Sequence, residues 1–177
     1  MLASDQEIAK QFRAKYNTYV IPLANPDGVD HGHWRHNTGG IDLNRDWGNV
    51  NQTEVQAIQR YFKKKVAANN GTLYFGVDFH STWEDIYYTL APDTKTNSTG
   101  LVREMIQAMS QELNLDPNIN DRVFGTNKRT SSEFFFFEFG AETLTYEIGD
   151  NTPRDLVKRK GEVSALKLMQ LMLEIKD

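Results

Sequence analysis

Four short apolar runs limit what this chain can fold into: residues 19–23, 72–79, 86–91 and 143–148. Each is rich in β-branched or aromatic side chains and too short for a core-facing helix, so each reads as a strand. Between them, apolar residues recur at helical spacing. Ile8, Ala9 and Phe12 suit a short helix over residues 5–15, and Val55, Ile58, Tyr61, Phe62 and Val66 suit one that stops near Asn69-Asn70-Gly71. Leu101, Val102, Met105, Ile106, Met109 and Leu113 mark a third helix. Leu166, Met169 and Leu173 lie on a closing helix that starts at Thr152-Pro153. Ser4 with Glu7, and Thr53 with Gln56, have the spacing of capping boxes. Strands alternating with helices require an α/β architecture: an open, mostly parallel or mixed sheet with helices on both faces. Residues 19–23 are expected as a buried strand that delivers its end to a loop, residues 116–132 as polar and irregular, and the aromatic run 134–139 as a packed wall. A chain of 177 residues has room for one such domain, spanning 1–177.

The loop after the first strand, residues 25–47, is dense in Gly, Asp and Asn, whose turn chemistry keeps backbone at the surface. It carries Arg35 and the adjacent pair Asn44-Arg45. An arginine fork beside a neutral amide donor matches a carboxylate, although the same residues could be scattered charges on a solvated loop. Two other blocks carry chemistry, Asp78-Phe79-His80-Ser81 and Thr145-Tyr146-Glu147-Ile148-Gly149-Asp150. A lone histidine where a strand ends is commonly a structural hydrogen-bonding group. Glu147, which strand alternation directs opposite Tyr146 and Ile148, is either half of a buried ion pair or a proton acceptor. His31, His33 and His36 cluster beside Arg35 and could form an accidental metal site. With no cysteine, any metal must be held by His, Asp or Glu. A net charge of -4 gives no support for nucleic acid as a partner, and no apolar run approaches the ~20 residues that span a bilayer.

Taken in order, Asn25-Pro26-Asp27-Gly28, Trp34-Arg35, Asp42-Leu43-Asn44-Arg45-x-Trp47, His80-Ser81 and the late Glu147 resemble the zinc carboxypeptidase family. The resemblance runs from about Tyr19 to Asp150. It implies a zinc-dependent hydrolase that removes the C-terminal residue of a peptide, or cleaves an amide next to a free carboxylate. It also implies roles: His80 as a zinc ligand, Glu147 as general base, Arg35 as polariser of the scissile carbonyl, and Asn44 and Arg45 as the grip on the substrate carboxylate. Asp42 would orient a histidine ligand, the last side chain of the substrate would be read within residues 127–133, where Lys128 and Arg129 hint at acidic preference, and the Ser81-Thr82 and Gly149-Asp150 peptide bonds would be cis.

Two departures stand out. No His-x-x-Glu, the family's source of two zinc ligands, occurs in the chain, and no tyrosine lies between Tyr88 and Tyr146. The chain is therefore expected to be a carboxypeptidase domain without its front, weak in zinc, impaired in catalysis, and open at a sheet edge to self-association. The competing expectations are a related deacylase or cell-wall peptide amidase, and a metal-free carboxylate-binding module or pseudoenzyme.

Overall fold

A computed structural model describes residues 1–116, 119–125 and 129–175. In chain order the elements are α1 (Glu7–Lys15), α2 (Pro26–Asp30), a 3-10 turn (Leu43–Arg45), α3 (Thr53–Ala68), β1 (Phe75–Thr82), β2 (Ile86–Thr89), α4 (Leu101–Glu112), β3 (Asp121–Val123), α5 (Ser131–Phe139), β4 (Glu142–Gly149) and α6 (Arg154–Glu174). The four strands form an open sheet in the order β1-β4-β2-β3. β1 runs parallel to β4 and β2 parallel to β3, while β2 and β4 are antiparallel, so the sheet is mixed.

Strand alternation assigns the two faces. Phe75 and Val77 of β1 and Leu144, Tyr146 and Ile148 of β4 pack with Val102, Met105, Ile106 and Met109 of α4 and with Val163, Leu168 and Leu171 of α6. α1 joins that layer, where Ala9 and Phe12 meet Met169 and Met172. The other face lies under α5 and α3: Phe134 and Phe135 pack with Trp47, Leu43, Val55 and Phe62. α5 approaches β1 so closely that a Cβ on Gly76 would sit 3.3 Å from the Phe135 ring. Gly76, Asp78 and His80 of β1 share this second face with their register partners Thr143, Thr145 and Glu147 of β4.

Two carboxylates, Asp85 half-buried and Glu142 buried, tie the layers together. Lys160 of α6, 1% exposed, is ion-paired with Asp85, which lies between β1 and β2 and also accepts the Gly149 N–H at 3.0 Å. At the start of β4, Glu142 accepts from Thr96 Oγ1 at 2.6 Å and from backbone N–H groups of Gly100 and Val102 at the start of α4. Burial pushes its carboxyl pKa up.

Several expectations are corrected. Residues 19–23 form no strand: Val20, Ile21 and Leu23 are 69%, 39% and 48% exposed, and only Tyr19 docks, edge-on to Tyr61 and Phe62 of α3. A strand needs an edge to pair with, and docking on α3 leaves this run unpaired while the outer edge of β1 has no neighbour among the described residues. Neither expected capping box forms. α1 is preceded by Gln6 with no side-chain cap, and α3 starts after Gln52, with the Gln56 amide turned to the carbonyls of Val50 and Asn51. The capping box that does form joins Thr130 and Glu133 at the start of α5. Residues 116–132 include β3, where pairing with β2 supplies the order that the polar sequence does not announce. No described peptide bond is cis, so Ser81-Thr82 and Gly149-Asp150 are trans.

Candidate active site

The loop of residues 25–47 replaces regular structure with asparagine-centred hydrogen bonds. Asn25 caps α2, accepting the Gly28 N–H at 3.1 Å while its Nδ2 donates to the His36 carbonyl. Gly28 must be glycine here, because a Cβ would come within 2.3 Å of the Asn25 amide. Asn37 is buried: its Oδ1 accepts from the N–H groups of Gly39 and Ile41, and its Nδ2 donates to Gln52 and Glu54. Asp42 caps the 3-10 turn by accepting the Asn44 N–H at 2.9 Å. Leu43 and Trp47 are buried on the phenylalanines of α5, and Gln59 donates to the Trp47 carbonyl. The Asp-Leu-Asn-Arg-x-Trp motif is thus half anchor and half display, and it leaves Arg45 exposed, with one Nη1 bond to the Asn44 carbonyl.

Four elements meet beside His80. The Cα atoms of His80 and Glu147 are register partners near the C-terminal ends of β1 and β4. Asp78, two residues before His80 and on the same face, has Oδ2 2.9 Å from His80 Nε2. Asn44 Nδ2 lies 3.3 Å from the same nitrogen, and Asn44 Oδ1 accepts the Ser131 N–H. The closer contact, to Asp78, assigns the tautomer: a carboxylate oxygen accepts, so Nε2 carries the hydrogen and donates it to Asp78, and the Asn44 amide, itself a donor, makes no bond to that nitrogen. Nδ1 is then the basic nitrogen. The hydrogen bond to Asp78 raises the His80 pKa, burial opposes it, and the charges of Asp78, Glu147 and Asp42 add to the rise.

Glu147 has one carboxylate oxygen, Oε2, buried with no hydrogen-bond partner. Burial pushes its pKa up, Asp78 and Asp150 push the same way, and His80 and Arg35 pull it down. Arg35 stacks over the Trp34 ring at 4.3 Å and faces Asp42 Oδ2 at 3.6 Å. The two oxygens of Asp42 are therefore engaged by Asn44 and Arg35, not by a histidine. The rings of His31 and His33 stack at 5.8 Å and His33 Nδ1 lies 3.3 Å from the His36 carbonyl; among the described residues no three of His, Asp and Glu converge to hold a metal. The aromatic run is packed rather than displayed, apart from Phe137 at 43% exposure. Of the expected side-chain pocket, Asn127 and Lys128 lie outside the described residues.

Sequence reading missed Ser131, whose hydroxyl donates to Asp78 and whose N–H reaches Asn44. The signal was present in Thr130-Ser131-Ser132-Glu133, a helix-start pattern that places Ser131 at the first helical position.

A family model described as zinc carboxypeptidase matches residues 1–113. Cytosolic carboxypeptidase 1 of Gallus gallus is 44% identical over 50 residues, which is 28% of this chain and 4% of that protein. A metallo-carboxypeptidase from Burkholderia cenocepacia superposes with a TM-score of 0.68 at 20% identity over 96% of this chain and 47% of that one. A metallo-carboxypeptidase from Pseudomonas aeruginosa, solved in complex with (2-guanidinoethylmercapto)succinic acid, gives 0.66 at 18% identity over 96% and 49%. The chain thus spans about half the length of these structures and a small part of the curated relative. With the loop motif, His80 and Glu147 brought to one end of the sheet and the family match covering most of its length, this chain belongs to the zinc carboxypeptidase family.

Proposed function

We propose that this chain serves metallocarboxypeptidase-type hydrolysis of the C-terminal bond of a peptide, or of an amide next to a free carboxylate. The observation that carries this reading is the pairing of His80 with Glu147 across β1 and β4, close enough to Arg35 for its charge to act on the Glu147 carboxyl. Glu147, with an unpartnered oxygen and a raised pKa, is suited to take a proton from water and return it to the leaving amine. Arg35 offers a cation to the oxygen of the scissile carbonyl as charge develops there. Arg45 supplies the fork for the terminal carboxylate, while the Asn44 amide, expected as a neutral donor beside it, is turned to His80 and Ser131.

In this family zinc polarises the carbonyl and acidifies a water. His80, through Nδ1, is the residue of this chain suited to ligate it. The described residues do not complete such a site, because a catalytic zinc takes three protein ligands and no three converge here.

The reading is tested by titrating the protein, in zinc-containing buffer, with a blocked dipeptide and with its C-terminal amide. The free acid is expected to bind more tightly, and Arg45→Lys to weaken the acid while sparing the amide, since a point charge replaces a bidentate fork. Any release of the C-terminal residue should disappear in Glu147→Gln with binding retained. Equal binding of acid and amide would sink the carboxylate reading, and Glu147→Gln keeping more than about a tenth of the rate would remove Glu147 from proton transfer, which supplies ~10²–10⁴.

A further inference from the structure

Ser131 is 4% exposed and touches two of the residues that meet at His80. It is the first residue of α5, and both of its donors leave the helix. Its Oγ donates to Asp78 Oδ2, the oxygen that accepts from His80 Nε2. Its N–H donates to Asn44 Oδ1 at 2.9 Å, and the other end of that amide lies 3.3 Å from the same ring nitrogen. One edge of the imidazole is therefore flanked by two side chains that both hang on one serine. The helix does not require the hydroxyl bond, whereas the N–H bond to Asn44 satisfies a donor that the helix itself cannot. α5 is already capped by Thr130 and Glu133, and the first N–H groups of any helix lack an intrahelical acceptor.

We propose that Ser131 is a positioning residue: by fixing Asp78 it holds His80 as the Nε2–H tautomer and leaves Nδ1 as the basic nitrogen. A carboxylate turns easily about its terminal torsion, so Asp78 without the serine hydroxyl is free to rotate away from the ring. The Ser131 N–H occupies Asn44 Oδ1, so the amide has no acceptor to offer the ring and Asp78 is the one that takes the Nε2 hydrogen. What the basic Nδ1 serves rests on the hydrolytic reading above; the positioning itself does not.

The test is ring-nitrogen NMR of the ¹⁵N-labelled protein at a pH where the imidazoles are neutral. His80 is identified among His31, His33, His36 and itself by its loss in His80→Gln. In the wild type the His80 nitrogens are expected far apart, as in a single Nε2–H tautomer. Ser131→Ala should draw them together as tautomers mix, and Ser131→Thr, which keeps the hydroxyl, should restore them. Ser98→Ala, another buried serine whose Oγ donates to the Tyr74 carbonyl, should leave His80 unmoved.

An unchanged His80 in Ser131→Ala, or an equal change in Ser98→Ala, would overturn the proposal. A Ser131→Ala protein that does not fold would also overturn it, because the hydroxyl would then hold the fold rather than the ring. Failure of the acid-against-amide titration, with these spectra as expected, would count against the hydrolytic reading alone.

Discussion

The Lys160–Asp85 pair makes an asymmetric prediction. The lysine side chain is 2% exposed and the aspartate 32%, so removing one partner is not equivalent to removing the other. Asp85→Asn strands an ammonium in the interior, where an uncompensated buried charge costs about 3–5 kcal/mol. Lys160→Met strands a carboxylate that water reaches and that still accepts the Gly149 N–H at 3.0 Å, and methionine roughly replaces the lysine stem in volume. Its cost is discounted accordingly to about 1–2 kcal/mol. Replacing both, Asp85→Leu with Lys160→Met, removes both desolvation penalties together and should be milder than Asp85→Asn alone. Urea unfolding at neutral pH, with the slope checked for constancy, measures all three. If Asp85→Asn were no worse than Lys160→Met, exposure would not govern the pair and the reasoning would fail.

Other predictions follow from buried carboxylates, the open edge and the donor set. Burial holds the Glu142 pKa above its unfolded value, so the folded state binds that proton more tightly; stability is then lost as pH rises from about 4.3 through the higher folded value. Glu142→Gln should flatten that part of the stability curve, and an unchanged slope in urea melts across this range would contradict it. The outer edge of β1, where Phe79 is 63% exposed, should support concentration-dependent self-association that Phe79→Lys suppresses; sedimentation velocity showing a monomer at all concentrations would refute this. Protein loaded with zinc and dialysed against a weak chelator should retain well under one ion, since His80 is the imidazole at the site; stoichiometric retention would demand ligands beyond those named.

Sequence reading located the helices α3, α4 and α6 and the strands β1, β2 and β4, because their apolar periods are long or sharply alternating. It failed where a partner decides the outcome. Tyr19, Val20, Ile21 and Leu23 look like a strand in isolation, but only a neighbouring edge could have made them one. Phe134–Phe137 hide a helix because four consecutive phenylalanines have no period, whereas Thr130 and Glu133 three residues apart state where it starts. At the site, residue types announced His80, Glu147 and Arg35, and strand alternation put Asp78 on the His80 side. The inward turn of Asn44 and the reach of Ser131 depend on α5 crossing β1 at Gly76, which no local pattern encodes.

The strand order carries a consequence for synthesis. β1 and β2 are separated in the chain only by a short turn, yet they do not touch in the sheet; β4, made long after both, lies between them. A nascent chain that has emerged as far as α4 holds two strands with no correct partner; β2 gains β3 next, but β1 and the inner edge of β2 are paired only when Glu142–Gly149 leaves the ribosome. The general base proposed here rides on that same late strand. A chain stopped before it would lack both the keystone of the sheet and Glu147, so no partly translated product can be folded around this site. Protease sensitivity of stalled chains should persist until β4 is exposed, and protection of β1 before then would show a different order of assembly.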